Sequence, residues 1–202
     1  MSKRRFLATC AVVACLGAGL LGALRADAAS ITLSPATLAP PSGSTFSLDV
    51  VVSGLGAGVA PSLGAFDLDV AYDPAQLTFS GASFGTFLGT PPGEAITDVL
   101  PGAGSVNLAE VSLLAPAALD GMQPASFTVA TLQFVALSEI PSVVSVSSGL
   151  LSDAFGAPIG IESLASATVS PTSAVPEPGA FLLYAAGLVV VARSSLLRRR
   201  SV

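Results

Sequence analysis

The chain has 202 residues, 51% of them apolar, with eight Lys or Arg, thirteen Asp or Glu, no His and a formal net charge of −5. All eight bases lie near the ends (Lys3, Arg4, Arg5, Arg25, Arg193, Arg198, Arg199 and Arg200), while the span 29–174 holds eleven acids and no base. An all-acidic body repels phosphate backbones, which excludes nucleic acid as a partner; the absence of His excludes His-based catalysis and His-ligated zinc or haem.

The chain opens with a basic stretch, Lys3-Arg4-Arg5, then an apolar run from Phe6 to Leu24, then Ala26-Asp27-Ala28. Basic, apolar and small-x-small in that order is a secretory signal peptide over residues 1–28, cut between Ala28 and Ala29. Val12-Val13-Ala14-Cys15 resembles a lipobox, but the apolar run continues to Leu24, where a lipoprotein turns polar. Cys10 and Cys15 are the only cysteines, so a chain cut after Ala28 carries no thiol, disulfide or cysteine metal site. Gly17 to Gly22 spells G-x-G-x-x-G inside this run, without the strand and helix a dinucleotide site needs.

From Ser30 the pattern has period two. Ile31 and Leu33 come first. Phe46, Leu48, Val50 and Val52 then share one face, as do Phe66, Leu68, Val70 and Tyr72, with Asp67 and Asp69 on the other. Such alternation marks half-buried antiparallel strands. Further strands are expected at Leu77–Phe79, Ser105–Leu113, Phe127–Leu137 and Val143–Val146, with a weak closing pair over Ile159–Val169. Gly, Pro, Ser and Asp punctuate these runs, and none shows a clear 3.6-residue period. Roughly 150 residues of short strands and turns imply one all-β sandwich or jelly roll with a single core. Ala167–Val175 reads as a Ser/Thr/Pro linker.

Two motifs invite chemistry. Gly81-Ala82-Ser83-Phe84-Gly85 matches G-x-S-x-G, but a nucleophile elbow needs a helix after it and a His base, so a Gly/Ser turn is expected. Asp67, Asp69 and Asp73 are the best metal candidates, since oxygen-rich acidic sites suit Ca²⁺. They lack the ligand and glycine positions of an EF-hand, with Ala71 and Tyr72 in those places; the alternative is that they solubilise a strand and start a turn. Carboxylate pairs for glycoside hydrolysis are unsupported by any Trp, and Tyr72 is the only Tyr in the body. The chain is read as a non-enzyme with no required cofactor, calcium excepted.

The last 28 residues run Val175-Pro176-Glu177-Pro178, then an uncharged stretch Gly179–Ala192, then Arg193 and Arg198-Arg199-Arg200. As a helix, Gly179–Ala192 spans about 21 Å and Gly179–Leu197 about 28 Å, against a hydrocarbon core of about 30 Å. That is a membrane segment with a positive cytoplasmic stop, marginal as a permanent anchor.

This tail resembles the PEP-CTERM sorting signal of Gram-negative bacteria. The resemblance implies recognition by an exosortase through Pro176, Glu177, Pro178 and the Arg198–Arg200 cluster, passage through the inner membrane, and delivery to the cell surface or the exopolysaccharide matrix. The stretch Leu63–Phe79, with its aliphatic strand, Tyr72-Asp73-Pro74 and Leu77-Thr78-Phe79, resembles the early strands of cohesin-like domains, and Leu132–Leu137 suits a central strand of the same fold. That resemblance implies a jelly-roll sandwich that binds rather than catalyses. The chain thus divides into a signal peptide (1–28), a cohesin-like sandwich (29–166), a linker (167–175) and a sorting signal (176–200) with its transmembrane helix over 179–197. Its expected role is a surface or matrix protein acting through adhesion or binding to a cell-surface protein or exopolysaccharide; the alternative is a dedicated carbohydrate- or dockerin-binding module.

Overall fold

The computed structural model describes residues 28–173. The elements in chain order are β1 (Ala28–Ser34), β2 (Thr37–Leu38), β3 (Thr45–Ser53), β4 (Leu63–Ala71), β5 (Leu77–Phe84), β6 (Ala95–Pro101), β7 (Ser105–Ser112), α1 (Pro116–Met122), β8 (Ser126–Ala136), β9 (Ser142–Asp153), β10 (Pro158–Leu164) and β11 (Ser166–Val169). The pairing order β5-β8-β3-β1-β10-β9-β4-β7-β6 folds into two facing layers. One layer is β5-β8-β3-β1 and the other β9-β4-β7-β6. β10 links them, pairing in parallel with β1 and antiparallel with β9.

The alternating pattern dictates this arrangement. A period-two strand buries every second side chain on one face. In β3 those are Phe46, Leu48, Val50 and Val52; in β4 they are Phe66, Leu68 and Val70. Phe134 of β8 sits at the centre, with ring centroids 5.8 Å from Phe46, 5.2 Å from Tyr72 and 5.7 Å from Phe79. It ties both layers together, because Tyr72 follows β4 while Phe46 and Phe79 belong to the other layer. Close packing extends to Gly149 of β9, where a Cβ would lie 2.6 Å from Leu68 Cδ2; the missing side chain is what admits Leu68.

Four elements differ from the sequence reading. Ser166–Val169 is strand β11, the end of the closing pair expected over Ile159–Val169, so the linker expected from Ala167 does not start there: Ala167 and Val169 are buried, and the strand pairs with β9 on one side and β2 on the other. Thr172 then bridges Pro41. Small Ser, Ala and Thr side chains look like linker composition, yet they fit a tight ladder slot. Gly81–Phe84 lies within β5 and is not a turn, so Ser83 is a ladder residue opposite Thr131. β6 was not expected, because its alternation is inverted, with Ile96 and Leu100 outward. α1 is only seven residues long, opened by Pro at its first turn, with Leu119 its buried residue.

Among the described residues, no helix is long and apolar enough to cross a membrane. The expected transmembrane helix 179–197 and the residues Pro176, Glu177, Pro178, Arg198, Arg199 and Arg200 lie outside the described residues. Ala28 and Ala29, the expected cleavage pair, are the first two residues of β1, with Ala29 buried.

Candidate functional site

Asp67 and Asp69 project outward from β4, as the alternation predicts. Asn107 of β7 lies opposite Asp69. Its Nδ2 donates to Asp67 Oδ1 at 2.6 Å and to Asp69 Oδ1 at 3.0 Å. Ser148 of β9, opposite Asp69 on the other side, donates its hydroxyl to Asp69 Oδ2 at 2.7 Å. The Ser148 hydroxyl first, and the Asn107 amide second, hold the Asp69 carboxyl below the usual carboxylate range.

Asp73 does not join them. Its Oδ1 accepts the Ala75 N–H at 2.9 Å, closing the turn between β4 and β5. That is the Asx turn expected of Asp before Pro. Among the described residues, no group of three or more Asp, Glu, His or Cys is placed to hold a metal ion. The Asp67–Asp69–Asp73 calcium site is therefore not assembled: neutral donors occupy the two strand carboxylates, and the third serves its own turn.

What does assemble is a surface. In register across β6, β7, β4 and β9, the outer face carries three rows. The first is Ile96, Val111, Ala65 and Ser152. The second is Asp98, Ala109, Asp67 and Leu150. The third is Leu100, Asn107, Asp69 and Ser148. Four of these are large apolar side chains left in water: Ile96 is 60% exposed, Leu100 66%, Val111 48% and Leu150 72%. Between them lie small residues, the acid pair and its neutral partners, so the face is part apolar and negative at its centre.

The opposite outer face is different. Ser47, Asp49, Thr78, Thr131 and Gln133 stand there, with the Thr131 hydroxyl donating to Asp49 Oδ1 at 2.6 Å. Among the described residues, no substantially exposed large apolar side chain lies on β1, β3, β5 or β8. Scattered surface Leu is ordinary, but large apolar side chains collected on one of two otherwise equivalent faces mark an interaction surface.

Directly beneath that face is Glu110 of β7, with Phe66 opposite on β4 and Thr97 opposite on β6. Its side chain is fully buried, and neither carboxyl oxygen has a hydrogen-bond partner. Burial pushes its pKa up to about 7. The sequence held the signal: Glu110 shares parity with Val106 and Leu108, so the strand pattern places it inside.

Gln123, just after α1, is another buried polar residue that sequence reading missed. It accepts the Leu63 N–H at 2.7 Å and donates to Leu63 O at 2.8 Å and Phe87 O at 3.0 Å. Beside it the Ser62 hydroxyl donates to Asp120 Oδ1 at 2.6 Å. These bonds pin α1 to the start of β4.

The cohesin domain family model matches residues 31–169, most of the chain and nearly all of the described body. The chain belongs to the cohesin domain family. Among solved structures it is similar to the sixth cohesin of scaffoldin B from Acetivibrio cellulolyticus, in complex with a mutant Cel5 dockerin; identity is 17%, TM-score 0.58, covering 72% of this chain and 99% of that one. A non-cellulosomal cohesin from Archaeoglobus fulgidus matches at 13% identity and TM-score 0.55, covering 72% and 92%. A cohesin module from a family 33 glycoside hydrolase of Clostridium perfringens matches at 11% and 0.54, covering 72% and 96%. No curated protein matches the chain. At these identities the structural likeness carries the fold alone, and it agrees with the expected all-β jelly-roll sandwich.

Proposed function

We propose that this cohesin domain is a non-catalytic protein-docking module whose contact surface is the outer face of β9-β4-β7-β6. The observation that carries the reading is the asymmetry of the sandwich: one outer face leaves Ile96, Leu100, Val111 and Leu150 exposed around Asp67 and Asp69, while the other is mainly Ser, Thr and Gln with Asp49, and its two large apolar residues, Val51 and Val135, are partly buried. Large apolar side chains exposed together on one face of a soluble domain are the feature that marks an interaction surface. The partner class is a dockerin-bearing protein of the cell surface, supported by family membership and by a structural relative whose complex contains a dockerin. With no base in the body to neutralise Asp67 and Asp69, the partner supplies the donors, as Lys, Arg or hydroxyl groups.

A carbohydrate ligand, exopolysaccharide included, is the weaker reading. Sugar rings stack on aromatic platforms, and this face has none: Tyr72 packs on Phe134 in the interior.

The test uses the immobilised full chain against a panel of purified dockerin modules. Saturable binding that is lost on Leu100→Ser with Leu150→Ser, and kept on Gln133→Ala in the opposite face, supports the reading. Binding unchanged by the double substitution, with that variant still folded, overturns it.

The proposal includes export. The signal peptide carries the chain through the inner membrane, and cleavage at Ala28–Ala29 precedes folding, because that bond lies in β1. An exosortase then reads Pro176-Glu177-Pro178 and the arginine cluster Arg198–Arg200, releasing the domain to the cell surface or extracellular matrix. Host fractionation with C-terminal mass spectrometry tests this. A released form ending near Pro176–Pro178 supports it, and an intact Val202 terminus confined to the inner membrane refutes it.

A further inference from the structure

We infer that Glu110 is a pH-sensitive lock on the β6–β7 edge of the sandwich, closed while its carboxyl is protonated and loosened when it ionises. The inference rests on the buried carboxyl and not on any partner, so it stands or falls apart from the docking proposal.

The geometry allows one charge state. Both oxygens are buried and unpartnered, and an isolated carboxylate in an apolar interior is far costlier than the neutral acid. Proteins usually relieve such a charge with a nearby base. Here that route is closed, because residues 28–173 contain no Lys, Arg or His. The acids of the surrounding elements do not face it either. Asp67 and Asp69 of β4 and Asp98 of β6 are on the outer face; Glu94, in the loop before β6, accepts the Thr90 N–H; Asp120 of α1 accepts from Ser62. β5 carries no titratable side chain.

Hydration is the relief that remains, and water enters where the wall is weakest. β6 is the terminal strand of its layer, paired with β7 alone. Thr97 of β6, on the same inner face, is the residue opposite Glu110 toward the sheet edge. Lifting β6 exposes the carboxyl and disturbs Ile96 and Leu100, which stand on the outer face.

The sign follows from proton binding. Glu110 takes up its proton at about pH 7 in the closed state against 4.5 when solvated. Between those values the closed form holds a proton that the open form has lost. Closure therefore weakens as pH rises from about 4.5 to about 7, and is level above that. A shift of that size sets an upper bound of roughly 300-fold on the change in the closed-to-open ratio, and partial hydration lowers it to tens of fold.

Two measurements on the full chain test this. Carbon-13 NMR of the side-chain carboxyls, with Glu110→Gln to assign the signal, is expected to give Glu110 a midpoint near pH 7; a midpoint in the ordinary range near 4.5 overturns the inference. Amide hydrogen exchange over Ala95–Ser112, corrected for intrinsic rates, is expected to lose tens of fold in protection between pH 4.5 and 7.5 in the natural chain. The loss is expected to be absent in Glu110→Gln. Equal pH dependence in both chains overturns it. If Glu110→Gln does not fold, Glu110→Leu serves in both measurements, as an apolar side chain that the site accepts without a proton.

Discussion

Replacing Gln123 with Ala tests how the docking layer is held at its loop end. Gln123 is fully buried and makes three hydrogen bonds, all to backbone: it accepts Leu63 N–H and donates to the carbonyls of Leu63 and Phe87. The substitution takes the Gln123 side chain away from the N–H and carbonyl of Leu63, at the start of β4, and from the carbonyl of Phe87, after β5. A stranded buried group costs about 1–3 kcal/mol, and water admitted to the vacated space recovers part of it. The expected loss is about 3 kcal/mol, a fall in melting temperature of roughly 6–12 °C for a domain of this size. Urea denaturation followed by far-ultraviolet circular dichroism measures it. Gln123→Glu adds a sign test. Its carboxylate still accepts from Leu63 N–H but confronts two carbonyls, so Glu is expected to be less damaging at pH 4, where it is protonated, than at pH 8. A Gln123→Ala chain within about 0.5 kcal/mol of the natural one refutes the assignment of Gln123 as the clamp.

Phe134→Ala removes the ring that joins Phe46, Tyr72 and Phe79, and should cost about 3–5 kcal/mol in the same assay. Ala167→Asp places a charge at a fully buried position of β11; a loss of about 3 kcal/mol or more is expected, whereas a linker residue would tolerate it. Calcium chloride should raise the melting temperature no more than sodium chloride of matched ionic strength, because Asp73 is engaged by the Ala75 N–H and the three carboxylates do not form a ligand group. Ser148→Ala should raise the Asp69 pKa toward its ordinary value near 3.8, read by carboxyl NMR. In the natural chain the Asp69 contribution to stability is present above that value and is lost as pH falls through its lowered pKa.

Strand parity was legible wherever one face is apolar and the other polar. Phe46, Leu48, Val50 and Val52 in β3, and Phe66, Leu68 and Val70 in β4, lie on the inner face read from alternation alone. It failed where outward apolar residues or small side chains break the pattern. β6 turns Ile96 and Leu100 to water and Ala95, Thr97 and Val99 inward, so its hydropathy runs opposite to its burial. That inversion hides the strand from a reading by alternation. The closing pair expected over Ile159–Val169 is β10 and β11, but the linker composition from Ala167 onward hides where the ladder ends; the burial of β11 is set by its place between β9 and β2. α1 is too short to display a helical period. Of the expected metal trio, Asp67 and Asp69 were correctly placed on one outward strand face, but sequence could not tell that Asn107 and Ser148, 38 and 79 residues away from Asp69, arrive beside them.

The segregation of charge explains how these acids are treated. With every base near a terminus, the body has only neutral donors to offer. Asp67 and Asp69 take Asn107 and Ser148, Asp49 takes Thr131, Asp120 takes Ser62, and Asp73, Glu94 and Asp153 take backbone N–H groups. Neutral donors orient a carboxylate without cancelling its charge, so the outer face keeps its field while its side chains are fixed. A fixed, uncancelled negative centre raises the encounter rate of a cationic partner and leaves room for that partner's donors. Internal bases would have quenched that field, and they would also have given Glu110 a counter-ion. The absence of bases therefore accounts both for an uncancelled negative field on the proposed docking face and for a buried acid whose charge only water can relieve.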